Sequence, residues 1–266
     1  RDLIVTGVQT CALPISHIRT RRQERDILLM THIVLGYPSF ADSLRLIATM
    51  VDAGVDLMEL QIPFSEPIAD GPVILKTNQA ALERGASVAQ CFEAARSAAA
   101  RFPIPFLFMS YYNILYKYGV DRFAADAAAA GIEGAIVPDV PLEEGGEYLA
   151  AMGAHGLAPV FIFAPNSSDE RMRQIAARAR GFVYCVARKG VTGQQTDFSA
   201  DLESYLARCR AATGLPLAVG FGVKDRADID FLRGKADIAV IGSQTLRVLD
   251  EHGIDAVGDF IRSLRG

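Results

Sequence analysis

The sequence predicts a single-domain α/β fold of the closed (β/α)8 TIM-barrel class. Three observations lead there: eight short apolar runs recur along the chain, amphipathic stretches lie between them, and glycines collect after the last three runs. Runs that are apolar throughout fit strands buried on both faces, as in a parallel sheet covered by its crossover helices. The 266 residues, half of them apolar, suffice for one large core.

Taken in order, the strands are LLMTHIVL (28–35), DLMELQI (56–62), IPFLFM (104–109), GAIVP (134–138), APVFIFA (158–164), FVYCVA (182–187), PLAVGF (216–221) and DIAVIG (237–242). Helical stretches at 42–53, 88–101, 121–130, 143–155, 168–179, 202–213 and 225–233 separate them, and 254–264 closes the chain. Right-handed crossovers carry eight such units round into a closed barrel. A doubly wound open sheet is the competing architecture. It would place a glycine fingerprint after its first strand, where this chain has LGYPS.

Composition narrows the function. A net charge of −4 without any basic block argues against nucleic acid or an anionic membrane as partner and leaves a small metabolite. The cysteines, Cys11, Cys91, Cys185 and Cys209, are far apart with no CxxC pairing, and the histidines are equally scattered, so neither a zinc site nor a disulfide scaffold is expected. Such thiols serve as small buried hydrophobes in a reducing compartment. No apolar run approaches the length of a bilayer span, so a soluble, cytoplasmic protein is expected.

The stretch RDLIVTGVQTCALPIS (1–16) could pass for a secretory signal or a lipoprotein processing site, but it lacks a convincing basic n-region and a continuous apolar run. Over residues 5–15 it resembles the translation of a short-read sequencing adapter. We therefore read 1–16 as an artefactual segment and 17–266 as the catalytic barrel.

ELQIPFSEPIADGP carries the first candidate chemistry, with Glu59 inside the second strand and Asp70 beyond a proline-stiffened turn. Side chains alternate along a strand, so Leu57, Glu59 and Gln61 share one face and Met58 and Leu60 the other. If Met58 and Leu60 pack on the helices, Glu59 points into the barrel near the C-terminal end of its strand, where barrel enzymes keep their chemistry. A strand-end glutamate reaching solvent or a lysine explains the residue alone equally well. The rigid loop that can return Asp70 over the same mouth favours the catalytic reading. The second constellation is GVTG after the sixth strand, GFG after the seventh and GS after the eighth, which expose backbone N–H groups and a helix N-terminus suited to a phosphate.

In order and spacing, ELQIPFSEPIADGP, PFLFMSYYNI, VPDVPLEE, YCVARKGVTG, LAVGFGV and AVIGS resemble the tryptophan synthase alpha chain family, with the match running over about 28–264. The resemblance implies a retro-aldol lyase that splits indole-3-glycerol phosphate into indole and glyceraldehyde 3-phosphate. It implies no cofactor on this chain, and a pyridoxal-phosphate-dependent beta chain as partner in an alpha2-beta2 tetramer. Glu59 would then protonate indole C3 and take the glycerol hydroxyl proton, while Asp70 would accept the indole N–H. By the same resemblance Tyr184 hydrogen-bonds near Glu59, although a plain core tyrosine fits that position as well. Gly193, Gly220, Gly222, Gly242 and Ser243 match the phosphate site, and Phe221 and Tyr111 the indole pocket. Asp139 and Thr192 match residues that couple Asp70 to a loop, 187–197, closing over substrate.

Three departures stand out against the family pattern. Gln61 replaces a glycine, Glu66 replaces the aspartate of a PFSDP turn, and His32 stands where an apolar aromatic often lies. Gln61 and His32 are expected to narrow or rewire the indole pocket, and Glu66 to alter coupling to the partner. A free-standing lyase that releases indole and a non-catalytic activator of a beta-like partner remain as alternatives. A pull-down with a beta chain and an assay with and without it separate the three.

Overall fold

Two sets of apolar side chains, one on each face of the strands, build the barrel wall. The computed structural model describes residues 14–186, 200–220 and 222–265. The strands are β1 (Leu28–Val34), β2 (Leu57–Gln61), β3 (Phe106–Met109), β4 (Gly134–Ile136), β5 (Ala158–Phe163), β6 (Val183–Val186), β7 (Leu217–Gly220) and β8 (Ile238–Ile241). Each pairs in parallel with the next, and β8 returns to β1 to close the barrel. All eight expected strands are present. Leu57, Leu107, Val160, Ala218 and Ile238 fill the interior, whereas Met58, Leu60, Phe106, Phe108 and Ala239 face the helices.

The helices are α1 (Pro14–Glu24), α2 (Phe40–Asp52), α3 (Pro72–Glu83), α4 (Val88–Arg101), α5 (Tyr112–Tyr118), α6 (Val120–Ala129), α7 (Gly146–Ala154), α8 (Asp169–Arg178), α9 (Ala200–Ala212), α10 (Arg226–Leu232) and α11 (Ser243–Arg265). Side-chain caps fix several starts: Ser39 accepts from the Asp42 N–H, Ser87 and Gln90 form a reciprocal capping box, and Asp225 accepts from the Asp228 N–H. Helix α11 is kinked at Gly253, whose φ of 83° favours glycine. The kink separates its last part, which the sequence reads as a closing helix over 254–264.

Helices α1, α3 and α5 go beyond the sequence reading. In α3, Pro72 occupies the first turn, where a missing N–H costs nothing, so a proline that reads as loop instead starts a helix. In α1, Ile18 is fully buried and belongs to the inner cluster with Leu28, Phe182 and Ile238, so this helix plugs the barrel floor. Because α1 begins at Pro14, the boundary drawn after residue 16 falls within its first turn.

At the same floor, Asp56 gathers the ends of the fold. Its buried carboxylate accepts from the Leu29 N–H at 2.9 Å and from Arg25 Nη1 at 2.7 Å, and it also pairs with Arg21 and with Arg265 of α11. A carboxylate fully desolvated in this way is stable only because its lone pairs are occupied. Among the described residues no helix is long and apolar enough to cross a membrane.

Candidate active site

The parity of β2 sends Glu59 and Gln61 inward at the C-terminal mouth, because Leu57 is interior and Met58 and Leu60 pack outward. In the β1–β2 register His32 stands directly opposite Glu59. His32 Nδ1 and Glu59 Oε2 are 3.0 Å apart, and both side chains are almost sealed from solvent. Two strand positions, each chosen by alternation, thus meet as a buried pair.

Asp70 reaches the same mouth from the β2–α3 loop. Its Oδ2 accepts from Gln61 Nε2 at 2.7 Å and from the Tyr111 hydroxyl at 3.0 Å. Tyr111 is itself fixed from two sides: its hydroxyl accepts from the Ala69 N–H at 3.1 Å, and its ring stacks on Phe64 with centroids 5.2 Å apart. Burial pushes the Asp70 carboxyl up from its ordinary value, opposed by the His32 charge and by the Gln61 and Tyr111 hydrogen bonds. For His32, burial acts downward, but the hydrogen bond and charge of Glu59, followed by the charge of Asp70, outweigh it and raise the group.

Three buried polar atoms on this patch, His32 Nε2, Glu59 Oε1 and Gln61 Oε1, have no hydrogen-bond partner. Such groups cost free energy in a dry core, so their concentration at the barrel mouth marks a surface completed by a bound polar molecule. Tyr184 projects from β6 toward the same carboxylates. Burial first, then the charges of Glu59 and Asp70, push its phenol well above the ordinary range.

The glycines divide by what requires them. A Cβ on Gly220 would lie 2.4 Å from the Tyr184 hydroxyl oxygen, so the smallness of Gly220 makes room for that ring. Gly222 has a φ of 79°, a backbone conformation that itself favours glycine. At Gly242 a Cβ would make only ordinary contacts, 3.7 Å from His32 Cβ. Ser243 opens α11, whose positive dipole end faces the mouth beside Gly220 across the β7–β8 pair.

Asp139 takes the first N–H of α5: its two oxygens lie 2.8 and 3.0 Å from the Tyr112 nitrogen. It thereby fixes the backbone next to Tyr111, whose hydroxyl holds Asp70. Thr192, Gly193, Phe221 and the whole 187–197 loop fall outside the described residues. The sequence reading singled out His32 and Gln61 only as departures. Their roles as the partners of Glu59 and Asp70 needed the β1–β2 register and the path of the loop. Among the described residues no cluster of three or more His, Cys, Asp or Glu is placed to hold a metal ion.

The profile of the tryptophan synthase alpha chain family matches residues 18–261. The tryptophan synthase alpha chain of Syntrophotalea carbinolica is 64% identical over 248 residues, covering 93% of this chain and 98% of the relative. That of Desulforapulum autotrophicum is 63% identical over 249 residues, covering 94% and 98%. Among solved structures, Mycobacterium tuberculosis tryptophan synthase superposes with a TM-score of 0.89 at 32% identity, covering 94% of this chain and 96% of that one. The tryptophan synthase a2b2 complex of Pyrococcus furiosus gives 0.84 at 31% identity, covering 90% and 98%. With a closed barrel, a carboxylate pair at its mouth and near-complete coverage at this identity, the chain belongs to the tryptophan synthase alpha chain family.

Proposed function

We propose that Glu59 and Asp70 carry the chemistry of this chain, with Glu59 exchanging protons and Asp70 countering charge on the indole. The chain is a carbon–carbon lyase of tryptophan biosynthesis that cleaves indole-3-glycerol phosphate to indole and glyceraldehyde 3-phosphate. Cleavage requires a proton on indole C3, loss of a proton from a glycerol hydroxyl, and stabilisation of positive charge that develops on the ring. Two buried carboxylates at one mouth, held in different hydrogen-bonded settings, support this division of labour. Glu59 has Oε1 unbonded and inward, suited to give and then take a proton. Asp70, clamped through Oδ2, is a fixed acceptor for the indole N–H.

Tyr184 stands above Gly220 and helps to orient Glu59 in this reading. The backbone around Gly220, Gly222, Gly242 and Ser243 takes the phosphate at the positive end of α11, with Gly193 completing the cup. Tyr111 and Phe221 line the indole, and Asp139 with Thr192 relays closure of the 187–197 loop to Asp70.

A beta chain is the partner, in an alpha2-beta2 assembly, and the cytoplasm is the site of action. The Pyrococcus furiosus neighbour comes from an a2b2 complex. On this chain, Ile68 is 74% exposed on the β2–α3 loop and Tyr116 is 70% exposed on α5. The Ala69–Tyr111 hydrogen bond draws that loop to the start of α5, so both apolar side chains are offered near the active-site mouth. The test is indole release from indole-3-glycerol phosphate with and without a beta chain, alongside co-purification. Cleavage that a bound beta chain accelerates is the expected result; absence of cleavage under both conditions would refute the reading.

A further inference from the structure

The cleavage as described leaves the His32–Glu59 contact without a task. Both residues point inward from register partners on adjacent strands, with side chains only 5% and 3% exposed and Nδ1 3.0 Å from Oε2. A buried imidazolium beside a buried carboxylate compensates desolvation that neither would survive alone. The titratable groups facing the pair are Asp70 from the β2–α3 loop and Tyr184 from β6, with Tyr111 behind Asp70. From the turn after β8 the neighbour of His32 is Gly242, which does not titrate.

We propose that His32 is a positioning residue that shares one proton with Glu59, making the pair, rather than the carboxyl alone, the proton reservoir of the cleavage. This rests on the role given to Glu59 above. In the first half of the reaction the shared proton passes from Nδ1 to Oε2, a half-turn of the carboxyl about Cγ–Cδ brings that oxygen to the substrate side, and the proton forms the C–H bond at indole C3. The pair is then a carboxylate beside a neutral imidazole whose Nδ1 has given up its proton. In the second half the carboxylate removes the glycerol hydroxyl proton as the carbon–carbon bond breaks. The electron pair of that bond returns to the ring, the oxygen becomes the aldehyde carbonyl, and the reservoir is refilled. Protons and electrons balance without a co-reactant. The upward displacement of His32 by Glu59 agrees, because it keeps the shared proton available above the ordinary histidine range.

The test is the pH profile of kcat/KM for the parent, His32→Phe and His32→Asn, with a melting curve for each. Histidine-selective NMR titration of the parent and Glu59→Gln accompanies it. Phenylalanine removes the partner; asparagine keeps a donor toward Oε2 but cannot release a proton, and it carries the test if the phenylalanine variant fails to fold. Both variants should lose the alkaline limb at a pH about one unit or more lower, with activity at pH 8 down about tenfold or more. The His32 titration should move to lower pH in Glu59→Gln. Limbs that stay in place for His32→Asn, with only their height changed, would make His32 a hydrogen-bonding spacer and overturn the shared reservoir. An unmoved His32 titration in Glu59→Gln would overturn it as well. A parent that fails to cleave the substrate at all overturns the reaction assignment together with the reservoir, whereas normal cleavage with unmoved limbs overturns only the role of His32.

Discussion

Glu59 keeps Oε2 on His32 and leaves Oε1 unbonded, whereas Asp70 accepts two hydrogen bonds through Oδ2. A group that must exchange a proton needs a free oxygen, and one that counters charge needs a fixed one. Glu59→Gln should therefore lower single-turnover indole release by about 10³ or more, near the top of what general acid–base catalysis contributes, while substrate binding persists. Asp70→Asn should also cut kcat heavily, since the amide offers no negative charge. Near-normal turnover by Glu59→Gln would reduce Glu59 to a structural residue. Stability carries a second signature. The folded state raises His32 above its ordinary value of 6.5, so the pair stabilises the protein fully below that pH and loses the contribution as pH rises through the raised value. Glu59→Gln should accordingly melt lower than the parent at pH 5.5 and match or slightly exceed it at alkaline pH. Of the site, the inward direction of Glu59 was legible because alternation fixes it. The Tyr111–Asp70 and Asp139–Tyr112 contacts were not, because they join separate strand ends that only barrel closure brings together.

Among the elements, strands read from sequence to within two residues at either end, since a run such as LLMTHIV is buried on both faces and its apolar residues outweigh Thr31 and His32. The three helices that escaped did so for local reasons. Pro63, Pro67 and Pro72 look like one long loop although the last begins α3; α5 is seven residues long; and α1 has little amphipathic contrast along its face. Helix α1 nevertheless anchors the floor through Ile18. Ile18→Ala should open a cavity there and cost about 2–5 kcal/mol in urea unfolding, with the barrel mouth and KM unaffected. Glu133, at the entry to β4, makes a different prediction. Burial raises its carboxyl from 4.5 to about 7, and its Oε2 has no partner. The folded state thus binds the proton more tightly than the unfolded chain, and stability falls as pH rises from about 4.5 to 7. Glu133→Gln should be more stable than the parent at pH 8 by about 1–2 kcal/mol, allowing for partial exposure, and gain nothing at pH 4. Equal melting differences at both pH values would contradict this.

Over the whole molecule, chemistry and mechanical closure lie at opposite ends of one barrel. The mouth holds partly unsatisfied polar atoms, while at the floor Asp56 joins β1 backbone, α1 through Arg21 and α11 through Arg265 with one carboxylate. Asp56→Ala leaves several arginines without their counter-charge and should destabilise the protein by about 3–5 kcal/mol. Circular dichroism melts that agree with the parent would show the cluster to be ornamental. Closure also shapes how the chain comes into being. The last seam of the wall sets Leu28 of β1 against Ile238 of β8, so the two partners lie 210 residues apart in a chain of 266. During synthesis on the ribosome β1 emerges early and remains an unpaired edge, able to capture a strand from another nascent chain, until β8 is released. Translation of β8 therefore decides between a sealed cylinder and a sticky open sheet, and a pause there would lengthen the interval in which the growing protein needs a chaperone.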